Sequence, residues 1–190
     1  LDEDEALLTL GAEKDVDGIT PQSLGRLVAD LPGFRCATPF GIIRILEHYG
    51  IQCEGKQAVV IGRSVILGKP MALMLMQREA TVCICHAKTR DLAQFTILAD
   101  ILVVAAGRPN LIVPQMVKTG AVVIDVGINR LPSGKIVGDV EFAGAAARAS
   151  AITPVPGGVG PMTIATLLAI ASSIVAITQR NVFMCCLPCV

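Results

Sequence analysis

Apolar and polar positions change their period partway along the chain. From Thr38 to Gly50 the apolar residues Ile42, Ile43, Leu46 and Tyr49 share one helical face. Thr38 is the expected N-cap of that helix, Pro39 its first residue and Gly50 its end. After Gly55-Lys56 short continuous apolar runs take over: QAVVI (57–61), TVCIC (81–85), ILVVAA (101–106) and AVVIDV (121–126). Helix-like stretches separate them, a Met/Leu-rich one at 71–77 and others at 89–98 and 114–118. LPSGK (131–135) is a turn into a short strand at Ile136-Val137. Apolar strands alternating with helices predict βαβ units with right-handed connections and a parallel sheet buried on both faces. The expected fold class is therefore α/β, a Rossmann-like doubly wound, mainly parallel sheet with flanking helices.

Residues 162–178, MTIATLLAIASSIVAIT, carry no charge for 17 positions, the lower limit for a membrane span. Thr163, Thr166, Ser172, Ser173 and Thr178 argue against a span, and no basic cluster flanks the start. Ile164, Leu167, Leu168, Ala171 and Val175 repeat at helical spacing, which predicts a buried amphipathic helix and no membrane partner. At the other end, Leu1-Asp2-Glu3-Asp4-Glu5 is neither a signal nor a transit peptide and reads as the acidic first turn of a short helix.

Composition narrows the class. The 190 residues hold 53% apolar side chains and only 17% charged ones, with mean hydropathy +0.64, which excludes a disordered chain. Sixteen basic residues balance sixteen acidic ones, so no nucleic-acid partner is expected. The seven cysteines are odd in number; Cys36, Cys53, Cys83 and Cys85 lie in apolar runs and read as core residues in a reducing compartment. Cys83-x-Cys85 lacks metal-site spacing, so no metal is expected.

Candidate chemistry begins where the first strand meets the next helix, at Gly62-Arg63-Ser64-Val65-Ile66-Leu67-Gly68-Lys69-Pro70. A glycine turn between strand and helix lets the backbone and the helix N-terminus approach a pyrophosphate, and Ser64 can donate its hydroxyl to a phosphate. The spacing is not G-x-G-x-x-G, and a purely structural turn is the alternative. An NAD site places a carboxylate at the end of the second strand. Here the strand ends in Cys85-His86-Ala87-Lys88-Thr89-Arg90, with no acid before Asp91. Arg63, Lys88 and Arg90 could surround a 2′-phosphate, which favours NADP over NAD; the alternative is ordinary solvated charge. His86 is either a general base or a packing residue. Two further glycine segments, Ala106-Gly107-Arg108-Pro109 and Asp125-Val126-Gly127-Ile128-Asn129, fall at strand ends, where Asp125 could tie a loop or touch a ligand.

Taken together, KDVDG (14–18), ATPFGI (37–42), GRSVILGKP (62–70), DVGIN (125–129) and above all PVPGGVGPMT (154–163) make the chain strongly resemble the methylenetetrahydrofolate dehydrogenase/cyclohydrolase family over residues 13–175. The resemblance implies oxidation of 5,10-methylenetetrahydrofolate to the methenyl form with NADP, less often NAD, and hydrolysis of that product to 10-formyltetrahydrofolate. It implies that Gly62, Arg63 and Ser64 meet the cofactor phosphates and that Ile128 lies against the cofactor. On the folate side it implies Asp17 hydrogen-bonded to the pterin, with Pro156, Gly157, Gly158, Val159 and Gly160 forming the substrate loop. It also implies a homodimer, in the cytoplasm or in mitochondria.

The departures set further expectations. The family's upstream Tyr-x-x-x-Lys motif has no counterpart, since four residues after Tyr49 stands Cys53 and none of the six lysines has a matching context. No catalytic residue is therefore assigned in this chain. The chain is expected to be a C-terminal portion, inactive alone as a cyclohydrolase, with a non-catalytic NADP-binding module as the alternative. Residues 1–51 read as helices of the catalytic domain and its linker, 52–160 as the NAD(P)-binding domain, 161–180 as a helix packing back, and 181–190 as an atypical tail. Ala87 and Ser23 stand where many relatives have serine and asparagine, and Cys36-Ala37 replaces the usual Pro-Cys before Thr-Pro.

Overall fold

The structure is a computed structural model that describes residues 3–185. Helices α1 (Glu3–Thr9), α2 (Pro21–Val28) and α3 (Ala37–His48) precede the sheet. Strands β1 (Gln57–Ile61), β2 (Thr81–Cys85), β3 (Ile101–Val104), β4 (Val122–Asp125) and β7 (Ala151–Ile152) form it, in the order β2-β1-β3-β4-β7 with every pair parallel. Helix α4 (Gly68–Met76) links β1 to β2, and the short α5 (Ala93–Thr96) links β2 to β3. A hairpin of β5 (Asn129–Arg130) and β6 (Ile136–Val137), then α6 (Phe142–Ala146), lie between β4 and β7; α7 (Val159–Cys185) closes the chain.

Side chains alternate between the two faces of the central strands, so each strand feeds two cores. Ala58, Val60, Ile101, Val103 and Ile124 pack with Leu27 of α2, Ile42, Ile43 and Leu46 of α3, and Met71 and Leu75 of α4. Val59, Ile61, Leu102, Val104 and Val123 pack with Ile112, Val117, Val140 and Ala145 on the other face. Truncating one such fully buried side chain to alanine costs about 2–5 kcal/mol.

Several local expectations are corrected. Helix α3 begins at Ala37, with Cys36 rather than Thr38 at the cap, because the Asp17 carboxylate accepts the Ala37 N–H at 3.0 Å from twenty residues away. Tyr49 is 73% exposed at the C-cap instead of packed in the helix face. The stretches 89–98 and 114–118 reduce to α5 and to a 3-10 turn, Pro114–Met116. β2 is an edge strand, so Ile84 is 40% exposed and Cys83 only half-buried, whereas Cys36, Cys53 and Cys85 are buried.

The α7 stripe turns the other way from the predicted face. Ile164 and Leu168 are each 63% exposed, while Thr166 is buried. Gly41 admits α7 to close approach, since a side chain there would meet Thr166 Oγ1 at 3.1 Å and the Met162 carbonyl at 3.2 Å, and Thr38 and Thr163 share a 3.0 Å hydrogen bond. No helix among the described residues is long and apolar enough to cross a membrane. Residues 1–2 of the acidic first turn and residues 186–190 of the atypical tail lie outside the described residues.

Candidate functional site

The strand register brings Ile61, Cys85, Val104 and Asp125 side by side at the C-terminal edge of the sheet. Five loops leave the C-terminal ends of the strands, and they answer the expectations differently.

The turn after β1 is built for close approach. Gly62 has φ +129°, and a β-carbon there would lie 2.5 Å from the Ala105 carbonyl oxygen. Gly68, the first residue of α4, is buried against the Gly62 carbonyl with no room for a side chain. Ser64 organises the turn, its carbonyl accepting the Lys69 N–H at 3.0 Å and its Oγ the Gly68 N–H at 3.3 Å. Among the described residues no protein acceptor takes the N–H groups of residues 63 to 67. Arg63 and Ser64 are exposed beside them. Free N–H groups in the turn that leads into α4, next to a guanidinium, can meet an anion.

The loop after β2 is a tight turn. The His86 N–H donates to Thr89 Oγ1 at 2.9 Å, and the Lys88 N–H donates to His86 Nδ1 at 3.2 Å. His86 therefore shapes this loop through Nδ1, while Lys88 and Arg90 are exposed. Burial pushes the neighbouring Cys85 thiol up to about 12, with Cys83 adding to the shift, so it is protonated at neutral pH.

The loops after β3 and β4 are tied by two buried carboxylates. Asp125 Oδ1 accepts the Gly127 and Asp139 N–H groups, each at 3.0 Å, and Oδ2 accepts Val140 N–H at 3.0 Å. Of the two roles left open for Asp125, the geometry selects loop-tying. Burial pushes its carboxyl above the ordinary value, against the pull of those N–H donors. Asp139, which sequence reasoning missed, is fully buried and accepts the Ala106, Gly107 and Arg108 N–H groups at 2.6, 2.8 and 2.9 Å. Its signal was Gly138-Asp139 directly after a short strand, a glycine that leaves room for Asp125. Ile128 projects from this region, 69% exposed.

The last loop follows β7 and runs into α7. Thr153 anchors it, its Oγ1 accepting the Asp125 N–H at 2.8 Å. Pro156, Gly157 and Gly160 are exposed, whereas Val159 is 3% exposed and packs in the core, so the fold does not bring it to the surface of the loop. Asp17 lies close to this region through α3: it caps Ala37, and the next residue, Thr38, bonds to Thr163 of α7. Asp17 is held there by Asp15, which accepts the Ile19 and Thr20 N–H groups at 3.1 and 2.8 Å and the Thr20 hydroxyl at 2.7 Å. Ser23 is buried in this same network, with its N–H on Thr20 Oγ1 at 3.2 Å. A groove of about 1030 Å³ reaches Gly157 and Gly158 from the side of α3, β4 and β7, and contains none of the β1-turn residues.

Residues 36–180 match the family described as tetrahydrofolate dehydrogenase/cyclohydrolase, NAD(P)-binding domain. The bifunctional protein FolD of Wolinella succinogenes is 57% identical over 164 residues, covering 86% of this chain and 57% of that protein. The same-named protein of Thermodesulfovibrio yellowstonii is 58% identical over 168 residues, 88% of this chain and 59% of its own length. The chain thus spans a little under three-fifths of these relatives. Among solved structures, the Campylobacter jejuni bifunctional FolD enzyme superposes with TM-score 0.88 at 53% identity, covering 89% of this chain and 60% of that one. The Trypanosoma brucei dehydrogenase-cyclohydrolase, solved with NADP and an inhibitor, gives TM-score 0.88 at 37% identity, over 95% of this chain and 64% of that one.

Proposed function

The chain belongs to the tetrahydrofolate dehydrogenase/cyclohydrolase family, and from that premise we propose that it binds NADP across the C-terminal edge of its sheet and serves the oxidation of 5,10-methylenetetrahydrofolate to the methenyl form. The observation that carries this reading is the β1 turn, with its unpaired N–H groups at residues 63 to 67 beside Arg63. The residues fit the group. Gly62 and Gly68 allow close backbone packing at the two ends of the turn, Arg63 and Ser64 face a pyrophosphate, and Lys88 and Arg90 stand at the end of β2 where an NAD site would hold a carboxylate.

Strand order gives the cofactor a direction. The 2′-phosphate end lies at β2 and the pyrophosphate at β1, so the nicotinamide half extends over β3 and β4 toward Ile128, next to the loop after β7. When bound, NADP supplies a ring that accepts a hydride from the folate methylene carbon. The protein's contribution is to position the two partners and exclude water. On the folate side, Asp17 has one carboxylate oxygen free of described partners to meet the amino edge of a pterin, and Pro156, Gly157, Gly158 and Gly160 present backbone to its flat face.

Hydrolysis to 10-formyltetrahydrofolate belongs in this reading to the whole protein, since the chain contains no Tyr-x-x-x-Lys lysine. The open β2 edge with exposed Ile84, together with exposed Phe95, Ile97 and Leu98, supports a homodimer. Cys36, Cys53, Cys83 and Cys85, unpaired among the described residues, support a reducing compartment such as the cytoplasm. The test is to supply the whole protein with 5,10-methylenetetrahydrofolate and NADP and to follow the absorbance of reduced cofactor. Reduction dependent on both is expected; a folded protein that binds both and reduces none contradicts the proposal.

A further inference from the structure

Asp139 has the densest hydrogen bonding of any carboxylate at the sheet edge, and none of its bonds is needed to close a regular element. Its oxygens accept three consecutive N–H groups from Ala106 to Arg108, and Oδ1 also accepts Asn129 Nδ2 at 2.8 Å. Three successive N–H groups aimed at one point form an anion nest. Here the protein's own carboxylate fills it, so the N–H groups of Ala106, Gly107 and Arg108 are not left for a phosphate. The role that remains is to fix shape.

Asn129 donates its second amide hydrogen to the Val137 carbonyl at 3.4 Å, which ties β5 to the end of β6. On the other side of Ile128, Gly127 is buried and its N–H is held by Asp125. Gly127 has no room for a β-carbon because the Asp139 carboxyl lies against it. A single exposed isoleucine needs no explanation by itself. An exposed isoleucine clamped on both sides by buried carboxylates does, because the fold has fixed the direction in which it points.

We propose that Asp139 and Asn129 are positioning residues that set the loops after β3 and β4, and Ile128 with them, against the nicotinamide half of the cofactor. This inference rests on the NADP reading above and deepens it. It assigns separate parts of the edge to separate halves of one ligand: the β1 turn and the β2 end hold the phosphates, and the Asp139 cluster aligns the ring.

The test compares two ligands on the same chain by calorimetry, NADP and 2′-phospho-ADP-ribose, which is NADP without its nicotinamide. The unaltered chain is expected to bind NADP more tightly. Asn129→Ala removes one donor from Asp139 and is expected to weaken NADP about tenfold while leaving the nicotinamide-free ligand within about twofold. Asp139→Asn places an amide against three N–H groups and is expected to act in the same direction; if it does not fold, Asn129→Ala carries the test alone. Equal loss of both ligands, or no loss of either, overturns the inference and marks the cluster as scaffold. Equal affinity of the unaltered chain for both ligands also overturns it, with the cofactor reading intact. Failure of the unaltered, folded chain to bind either ligand refutes the cofactor reading itself, and the inference falls with it.

Discussion

Gly157, Gly158 and Gly160 look interchangeable in sequence, but the structure gives each a different cost of substitution. A methyl group on Gly158 runs into the Pro154 carbonyl, with Thr153 Cβ at 3.0 Å and Pro154 N at 3.3 Å. These obstacles are mostly backbone, and Thr153 is fastened to β4 by the Val123 carbonyl at 3.1 Å and by Asp125. The loop therefore cannot swing aside cheaply, and overpacking of this kind costs about 1–3 kcal/mol. Gly157 has open space but φ +98°, so alanine there is strained by conformation, at a cost of about 1–3 kcal/mol. Gly160 has neither constraint and lies in the first turn of α7, where alanine gains up to about 1 kcal/mol of helix propensity. Urea unfolding of the three alanine variants should place Gly160→Ala at or above the unaltered chain, and the other two below it. The folate reading adds a second axis. In the whole protein, Gly160→Ala should raise the folate Michaelis constant without loss of stability or of NADP affinity. A Gly158→Ala variant as stable as the unaltered chain refutes the contact argument. Loss of NADP binding alongside folate binding refutes the assignment of this loop to the folate.

Two further outcomes follow from particular residues. The chain alone should show no hydrolysis of 5,10-methenyltetrahydrofolate above the buffer rate, and turnover that scales with its concentration would show a catalytic group outside the missing motif. Burial pushes Asp15 up, but hydrogen bonds from Ser23, Thr20 and Ile19 outweigh it, so its carboxyl lies below the ordinary value. A depressed carboxyl stabilises the fold above its unfolded value near ~4, and that contribution disappears as pH falls through the folded value. Asp15→Asn should therefore be less stable at neutral pH and lose less on acidification; parallel urea midpoints for both chains across that range would contradict this.

How much was legible depended on the range of the interaction. The runs 57–61 and 101–106 announced central strands because both faces of those strands are buried, and apolar content alone then marks them. The same logic overstated β2, since sequence does not say which strand lies at the edge. β7 has two residues and owes its existence to pairing with β4, so no local pattern marked it. Thr38-Pro39 was the better cap by local chemistry, yet Asp17 captured the Ala37 N–H across the intervening α2. At the site, the β1 turn was legible because glycine need and helix start are both local. Asp139 was not, because its partners are Ala106 to Arg108 and Asn129, brought together only by the sheet. The α7 stripe misled: Ile164 and Leu168, which it would bury, are exposed, because Thr38 and Gly41 hold the Thr163–Thr166 face of α7 against α3.

The central claim, that the β1 turn and the basic end of β2 form an NADP site, is tested most directly by calorimetric titration of the folded chain with NADP and with NAD. Arg63, Lys88 and Arg90, with no carboxylate before Asp91, predict tighter binding of NADP by at least about tenfold, roughly 1.4 kcal/mol. Replacing Lys88 and Arg90 together (Lys88→Ala, Arg90→Ala) should erase most of that margin while leaving NAD affinity less affected. Equal affinities for the two cofactors in the unaltered chain would contradict the account.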